Sequence, residues 1–158
     1  MPIDLADVRE GLPKTVPMVA TLGITFEDLS YERAVLMLPD SPPYHNHIGG
    51  LHAGAMFTLA ESASGAIVFA NFGDIPDVVT PLAVEATIRY LKVAMGPVMA
   101  VATMTTPRDE ILQTIAEGRR PEFTIDVELS TGDGAERVVT GVMSVLWTLR
   151  LVRRAGGA

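Results

Sequence analysis

Two features near the middle of this sequence carry the residue types that chemistry needs. The first is Glu61, the only charged side chain between His52 and Asp74 in a stretch of apolar and small residues. A carboxylate enclosed by such neighbours loses hydration, so its pKa rises unless a partner or water meets it. That is how an acid is tuned for general-base or nucleophilic work near neutral pH. The same side chain could instead reach solvent or pair with an arginine from a neighbouring sheet.

The second feature is the run Asn46-His47-Ile48-Gly49-Gly50-Leu51-His52-Ala53-Gly54, which leads straight into the helix that carries Glu61. The first amides of a helix lack partners within it, and the positive end of the helix dipole favours an anion. The N–H groups of Ala53 and Gly54 are therefore suited to hold a developing oxyanion, with Asn46 and His52 as side-chain donors beside them. Gly49, Gly50 and Gly54 let a ligand approach the backbone closely. Taken without Glu61, the same run is a capped helix after a flexible turn, with His45 and His47 exposed.

Geometry separates the two features. Ala53 and Glu61 are eight residues apart, roughly 12 Å along a helix axis, and eight steps of about 100° also turn them onto different faces. A reacting carbonyl must lie about 3 Å from both its oxyanion donors and its attacking group. If both act on one atom, the carboxylate comes from a second copy whose helix runs antiparallel alongside. The expected active unit is a homodimer with two equivalent sites at its interface; pairing of dimers into a homotetramer is left open.

The elements that must position these residues follow from periodicity. Residues 5–19 have an amphipathic helical pattern broken by Pro13 and Pro17, and 23–29 and 33–38 flank Ser30-Tyr31 as a hairpin. Residues 51–70 are apolar nearly all round, which predicts an enclosed helix. In the second half Val84, Ala86, Ile88 and Tyr90 alternate with Glu85, Thr87 and Arg89. Phe123, Ile125, Val127 and Leu129 alternate in the same way with Thr124, Asp126 and Glu128, so each strand is expected to have one dry face. A last strand over 137–148 puts Val139, Met143, Val145 and Trp147 on one side, and 108–118 predicts a short inserted helix with Ile111, Leu112 and Ile115 inward. The sum is one α+β domain over 1–158, an antiparallel sheet curved around a long central helix. It has a helical lead over 1–20, a core over 21–149 and a tail from Arg150 through Arg153 and Arg154 that is expected to fray.

Composition narrows the function. The chain has 158 residues, 48% hydrophobic and 20% charged, which suits one domain with a core of its own. With no cysteine, thiol redox chemistry and zinc-thiolate sites are excluded. Twelve Lys and Arg against 19 Asp and Glu give a net charge of −7, the wrong sign for nucleic acid or an anionic membrane, so neither is expected as a partner. The first twenty residues hold no apolar block after a basic start. Residues 53–72 are long enough to span a bilayer but hold Glu61, Thr58, Ser62, Ser64 and Asn71, which argues against that and leaves a cytoplasmic location as the expectation. His45, His47 and His52 lack a recognisable metal-ligand spacing, so no metal and no cofactor is expected.

Over about residues 20–148 the chain resembles the hotdog-fold acyl-CoA thioesterases, the group that includes the phenylacetyl-CoA-pathway and 4-hydroxybenzoyl-CoA thioesterases. The resemblance is concentrated in Asn46, then His52-x-Gly54 six residues on, then the acid Glu61 nine positions after that His. A weaker echo is the segment from Thr80 to Gly96, where Tyr90-Leu91-Lys92-Val93-Ala94 resembles a strand ending in a basic residue before a Gly turn. The resemblance implies the hotdog fold, an acyl-CoA or related acyl thioester as substrate, and Glu61 as nucleophile or general base. It further implies the Ala53 amide, with Gly54 beside it, as oxyanion hole, Asn46 and His52 as orienting groups, and Thr80 as a helper near the carboxylate. The chain departs from the pattern in three places: Ala53 stands where many members have Gly, Glu61 replaces a common Asp, and 108–118 is inserted. These place it nearest a little-characterised branch.

The expected reaction is thioester hydrolysis, with Arg89, Lys92, Arg108, Arg119 and Arg120 as a basic rim for the phosphates of CoA. Two alternatives stand beside it. One is a hotdog dehydratase acting on 3-hydroxyacyl thioesters, for which His47 and Glu61 have the fourteen-residue spacing but the usual Pro-Gly helix entry is missing. The other is a non-catalytic module that binds acyl-CoA or lipid.

Overall fold

The computed structural model describes residues 2–152. In chain order the elements are α1 (Leu5–Thr15), α2 (Pro17–Thr21), β1 (Thr25–Leu29), β2 (Arg33–Leu38), α3 (Ala53–Phe72), β3 (Val79–Tyr90), β4 (Val98–Met104), α4 (Arg108–Ala116), β5 (Glu122–Thr131) and β6 (Val138–Leu151). The six strands form one antiparallel sheet in the order β1-β2-β4-β5-β6-β3, packed around α3.

Helix α3 forms because its 20 residues contain no proline, few β-branched residues and a side-chain cap at His52; it ends at Gly73, whose N–H bonds the Phe69 carbonyl at 2.8 Å. Its apolar residues circle the whole axis, so the sheet encloses it. From Leu59 to Phe72 only Glu61 and Phe69 escape full burial. That burial also explains why a helix of this length and hydropathy is the core of the domain.

Strands β5 and β6 follow the alternation expected of them. Phe123, Ile125 and Val127 are buried opposite Trp147, Val145 and Met143. Strand β3 does so only in part. It lies at the sheet edge, with Leu82, Val84 and Tyr90 exposed, and a bulge between Ala83 and Glu85 shifts its register against β6. Beyond the bulge the alternation holds in part: Ala86 and Ile88 are half-buried and pack against the core, while Glu85, Thr87 and Arg89 are exposed; Val84 at the bulge and Tyr90 at the strand's end stay exposed on an edge that has a neighbour on one side alone.

The lead is two helices rather than one. Pro13 is accommodated in the last turn of α1, and the chain breaks at Val16 so that Pro17 starts α2, where its missing N–H is not needed. Val8 and Leu12 anchor α1 to the core. At the other end β6 continues to Leu151, and the Val152 N–H donates to the Val78 carbonyl at 2.8 Å. Of the expected tail, Arg153 and Arg154 lie outside the described residues.

Candidate active site

The loop before α3 is built from its own hydrogen bonds. The Asn46 N–H donates to the Gly50 carbonyl at 2.8 Å, and Asn46 Oδ1 accepts from the amides of Ile48 (3.0 Å) and Gly50 (3.1 Å). Its Nδ2 donates to the Leu51 carbonyl at 3.3 Å. Asn46 therefore closes the loop on itself, and its amide keeps one N–H for anything else. Gly49 sits at φ +80°, a left-handed conformation that favours glycine. At Gly50 an added Cβ would lie 2.8 Å from the Ala94 carbonyl oxygen, so only glycine lets the loop lie against residues 93–95.

His52 caps α3. Its Nδ1 accepts the Gly54 N–H at 2.9 Å, which puts the proton of the neutral ring on Nε2. The Gly54 amide expected to face a ligand is thereby engaged inside the chain, because an N-cap side chain offers its acceptor to that second amide of the helix. The amides of Ala55 and Met56 bond the His52 carbonyl at 3.0 and 3.1 Å. Among the described residues nothing accepts from the Ala53 N–H, and Ala53 is exposed. Of the two amides singled out in the sequence, that of Ala53 is the one left open.

A cleft of about 370 Å³ opens beside this helix end, lined by Asn46, Leu51, Ala53, Met56, Tyr90 and residues 91–94. The Tyr90 hydroxyl donates to the Ala53 carbonyl at 2.9 Å and so fixes the first turn of α3 to the end of β3. Partial burial pushes the Tyr90 phenol pKa up. Sequence reasoning quoted Tyr90 only within a strand motif. Its separation of 37 positions from Ala53 leaves no local signal of the contact.

Of the five cations expected as a rim, Lys92 lines this cleft. Arg108 instead holds both carboxylate oxygens of Asp74, at 3.1 and 2.8 Å, and donates through Nε to the Asn71 carbonyl at 2.7 Å. Arg119 pairs with Glu117, and Arg120 donates to Thr148 Oγ1 at 2.8 Å. Arg89 lies on the outer sheet face near Asp126 and Glu128. The rim is not assembled because carboxylates, carbonyls and hydroxyls closer at hand attract these donors first.

Glu61 stands two turns further along α3, half-buried, and burial raises its pKa. Among the described residues no group donates a hydrogen bond to its carboxylate. Its helical turn is held from the sheet: Trp147 Nε1 donates to Ser64 Oγ at 3.1 Å, and that hydroxyl donates to the Glu61 carbonyl at 2.7 Å. The single straight run of α3 keeps Glu61 and the Ala53 amide roughly 12 Å apart along the axis, so one protomer does not bring them to one atom. Thr80 lines a different cavity, with Phe69 and Phe72, and Glu61 is not among its walls. His47 is exposed, and His45 Nε2 lies 2.5 Å from Asp40 Oδ1.

A six-stranded antiparallel sheet around a helix that starts in a glycine-bearing loop and carries one partly buried acid defines a thioesterase-like hotdog protein. The chain belongs to the family described as a domain of unknown function (DUF4442), whose profile matches residues 7–147. It is similar to PA5026 of Pseudomonas aeruginosa, a protein of unknown function described as a probable thioesterase. The two are 26% identical, with 96% of this chain and 99% of that one covered, at a TM-score of 0.80. A thioesterase family protein from Silicibacter pomeroyi is 21% identical over 94% of this chain and 100% of its own, at a TM-score of 0.74. A mutant of the thioesterase PA1618 from Pseudomonas aeruginosa is 20% identical over 96% of this chain and 97% of its own, also at 0.74. No curated protein sequence matches this chain.

Proposed function

We propose that this protein hydrolyses an acyl-CoA or related acyl thioester at a site shared between two copies of the chain. The observation that carries the reading is Glu61, a carboxylate with a raised pKa and no partner among the described residues, on the helix whose first amide is open among them. In the proposed reaction the ionised Glu61 of one copy takes a proton from water as the oxygen attacks the thioester carbon. The Ala53 N–H of the other copy stabilises the oxyanion. Collapse of the tetrahedral intermediate breaks the C–S bond, and the proton passes from Glu61 to the departing thiolate, giving a carboxylic acid and a thiol. The rate rises with pH as Glu61 ionises.

Support for the second copy comes from the edge of the sheet. Strand β3 is 12 residues long, its outer edge is unpaired among the described residues, and Leu82, Val84 and Tyr90 are exposed along it. Beyond its end Leu91, Val93 and Met95 continue the apolar surface. A long, bare, apolar edge is a template for another strand, and a second copy is the partner always at hand. Edge β1, by contrast, is 5 residues long and bulged between Phe26 and Asp28.

Complementation tests the shared site. Glu61→Gln removes the base, and Ala53→Pro removes the open N–H at a position where proline fits a helix start; His52, at ψ 138°, already has the extended backbone that precedes proline. Each variant alone should release almost no thiol from a panel of acyl-CoAs. Refolded together in equal amounts they should recover about a quarter of wild-type activity, since half the dimers are mixed and each mixed dimer has one intact site. No recovery refutes the shared site. A wild type that binds acyl-CoA and releases no thiol refutes hydrolysis and leaves a binding module.

A further inference from the structure

Glu85 and Arg89 stand four positions apart on the outer face of β3, both exposed, and among the described residues neither forms an ion pair or a side-chain hydrogen bond. The carboxylates that share a groove with Arg89 are already engaged: Glu128 pairs with Arg137, and Asp126 accepts from the Ser144 hydroxyl. We infer that two copies of the chain join edge to edge along β3 with a twofold axis at Thr87, so that Glu85 of each copy faces Arg89 of the other. The inference rests on the shared-site reading and adds which residues of the two copies meet.

Three constraints select this register. Antiparallel pairing about a twofold axis must set the core face of one strand beside the core face of the other, so a residue, not a gap between residues, lies on the axis. The second constraint is the stretch able to pair. A bulge between Ala83 and Glu85 bends the strand, and Pro81 has no N–H to donate, so the regular part of the edge is residues 85–90. Its centre falls between Thr87 and Ile88, which leaves these two as candidates for the axis. Charge decides between them. With Thr87 on the axis, two Glu85–Arg89 pairs form on the outer face; with Ile88 there, Glu85 falls opposite Leu91 and Arg89 opposite Thr87. An axis at Glu85 or at Arg89 would set like charges against each other. The selected register also completes the inner face, since Ala86 meets Ile88, both half-buried against the core, and beyond them exposed Val84 comes beside exposed Tyr90. The apolar interior then runs on across the join.

The chain has no cysteine, so a single one placed on the axis reports the register. Thr87→Cys should give a covalently joined dimer on mild oxidation or with a short thiol-bridging reagent, because facing Cα atoms of antiparallel strands lie about 4.5–5.5 Å apart, within disulfide reach. Glu85→Cys should not join, since its twin is four residues further along the strand, roughly 13 Å away. Charge reversal gives a second readout. Glu85→Arg and Arg89→Glu should each raise the dimer dissociation constant about tenfold in sedimentation at low salt, and the double variant Glu85→Arg/Arg89→Glu should restore it. Thermal melts check that every variant is folded. A dimer that Glu85→Cys joins and Thr87→Cys does not, or whose double variant stays as weak as the single ones, would overturn the register and leave the shared site standing. A wild type that sediments only as a monomer would overturn the shared site and the register together. Joining at Thr87 in a protein that releases no thiol from acyl-CoA would support the register and overturn the hydrolase.

Discussion

At the C-terminal end of α3 the Asn71 amide donates to the carbonyls of Tyr31 (2.6 Å) and Ile67 (2.9 Å), and Arg108 ties Asn71 to Asp74 while its guanidinium lies 5.9 Å from the centre of the Phe72 ring. At the N-terminal end the Ala53 N–H and, two turns on, the Glu61 carboxylate have no partner among the described residues. Burial differs between the ends, since Asn71 and Phe72 are buried whereas Ala53 and Gly54 are exposed. They differ also in how polar groups are matched. Groups that satisfy each other hold the helix in place, and groups left unmatched are free for a ligand or a second copy.

The largest expected effect falls on the unmatched end. Glu61→Gln should lower turnover by about 10²–10⁴-fold with little change in acyl-CoA binding. It should also change the pH dependence of stability. In the folded chain Glu61 has a pKa above the ordinary 4.5, so the folded state binds this proton more tightly than the unfolded chain does. That contribution is fully present below the unfolded value and is lost as pH rises through the folded one. The melting temperature of Glu61→Gln relative to wild type should therefore increase from acid to neutral pH, and a constant difference would contradict the burial of this acid.

The matched end should respond in the opposite sense. Arg108→Ala leaves Asp74 without its bidentate partner and should lower unfolding free energy by about 2–3 kcal/mol in a denaturant titration, with kcat/KM unchanged at temperatures where the variant is folded. A comparable loss of kcat/KM would show that the two ends are not separable. His52 tests the boundary between holding and reacting. His52→Ala should cost about 1 kcal/mol as a lost cap, and His52→Asn should restore the cap. If activity returns with stability in His52→Asn, the ring only positions the helix; if stability alone returns, its Nε2–H takes part in the reaction. The smallest effect is expected for Tyr90→Phe. Loss of one hydrogen bond to the Ala53 carbonyl, about 0.5–1.5 kcal/mol, should appear as no more than about a tenfold drop in kcat with KM nearly unchanged.

The contrast also explains what could be read from the sequence. Helix α3 and its acid were legible because a run of small and apolar residues with one charge has few interpretations. The buried faces of β5 and β6 were legible because both strands sit inside the sheet, where alternation maps directly onto inside and outside. The same alternation held for Ala86 and Ile88 and failed for Val84 and Tyr90, since it does not reveal that β3 would be an edge or that a bulge would fall between Ala83 and Glu85. Arg108 read as one of several cations because Asp74 lies 34 residues away and meets it only after the sheet has closed. His52 read as a ligand donor because the types that cap a helix and the types that orient a substrate overlap.

The hydroxyl of Tyr90 joins two regions that sequence treats as remote. It hangs from the last residue of β3 and grips the first carbonyl of α3. Were a second copy to pair along that outer strand, as the proposed shared site requires, it would pull through one phenol on the threshold of the cleft, and assembly and reactivity would share a mechanical joint.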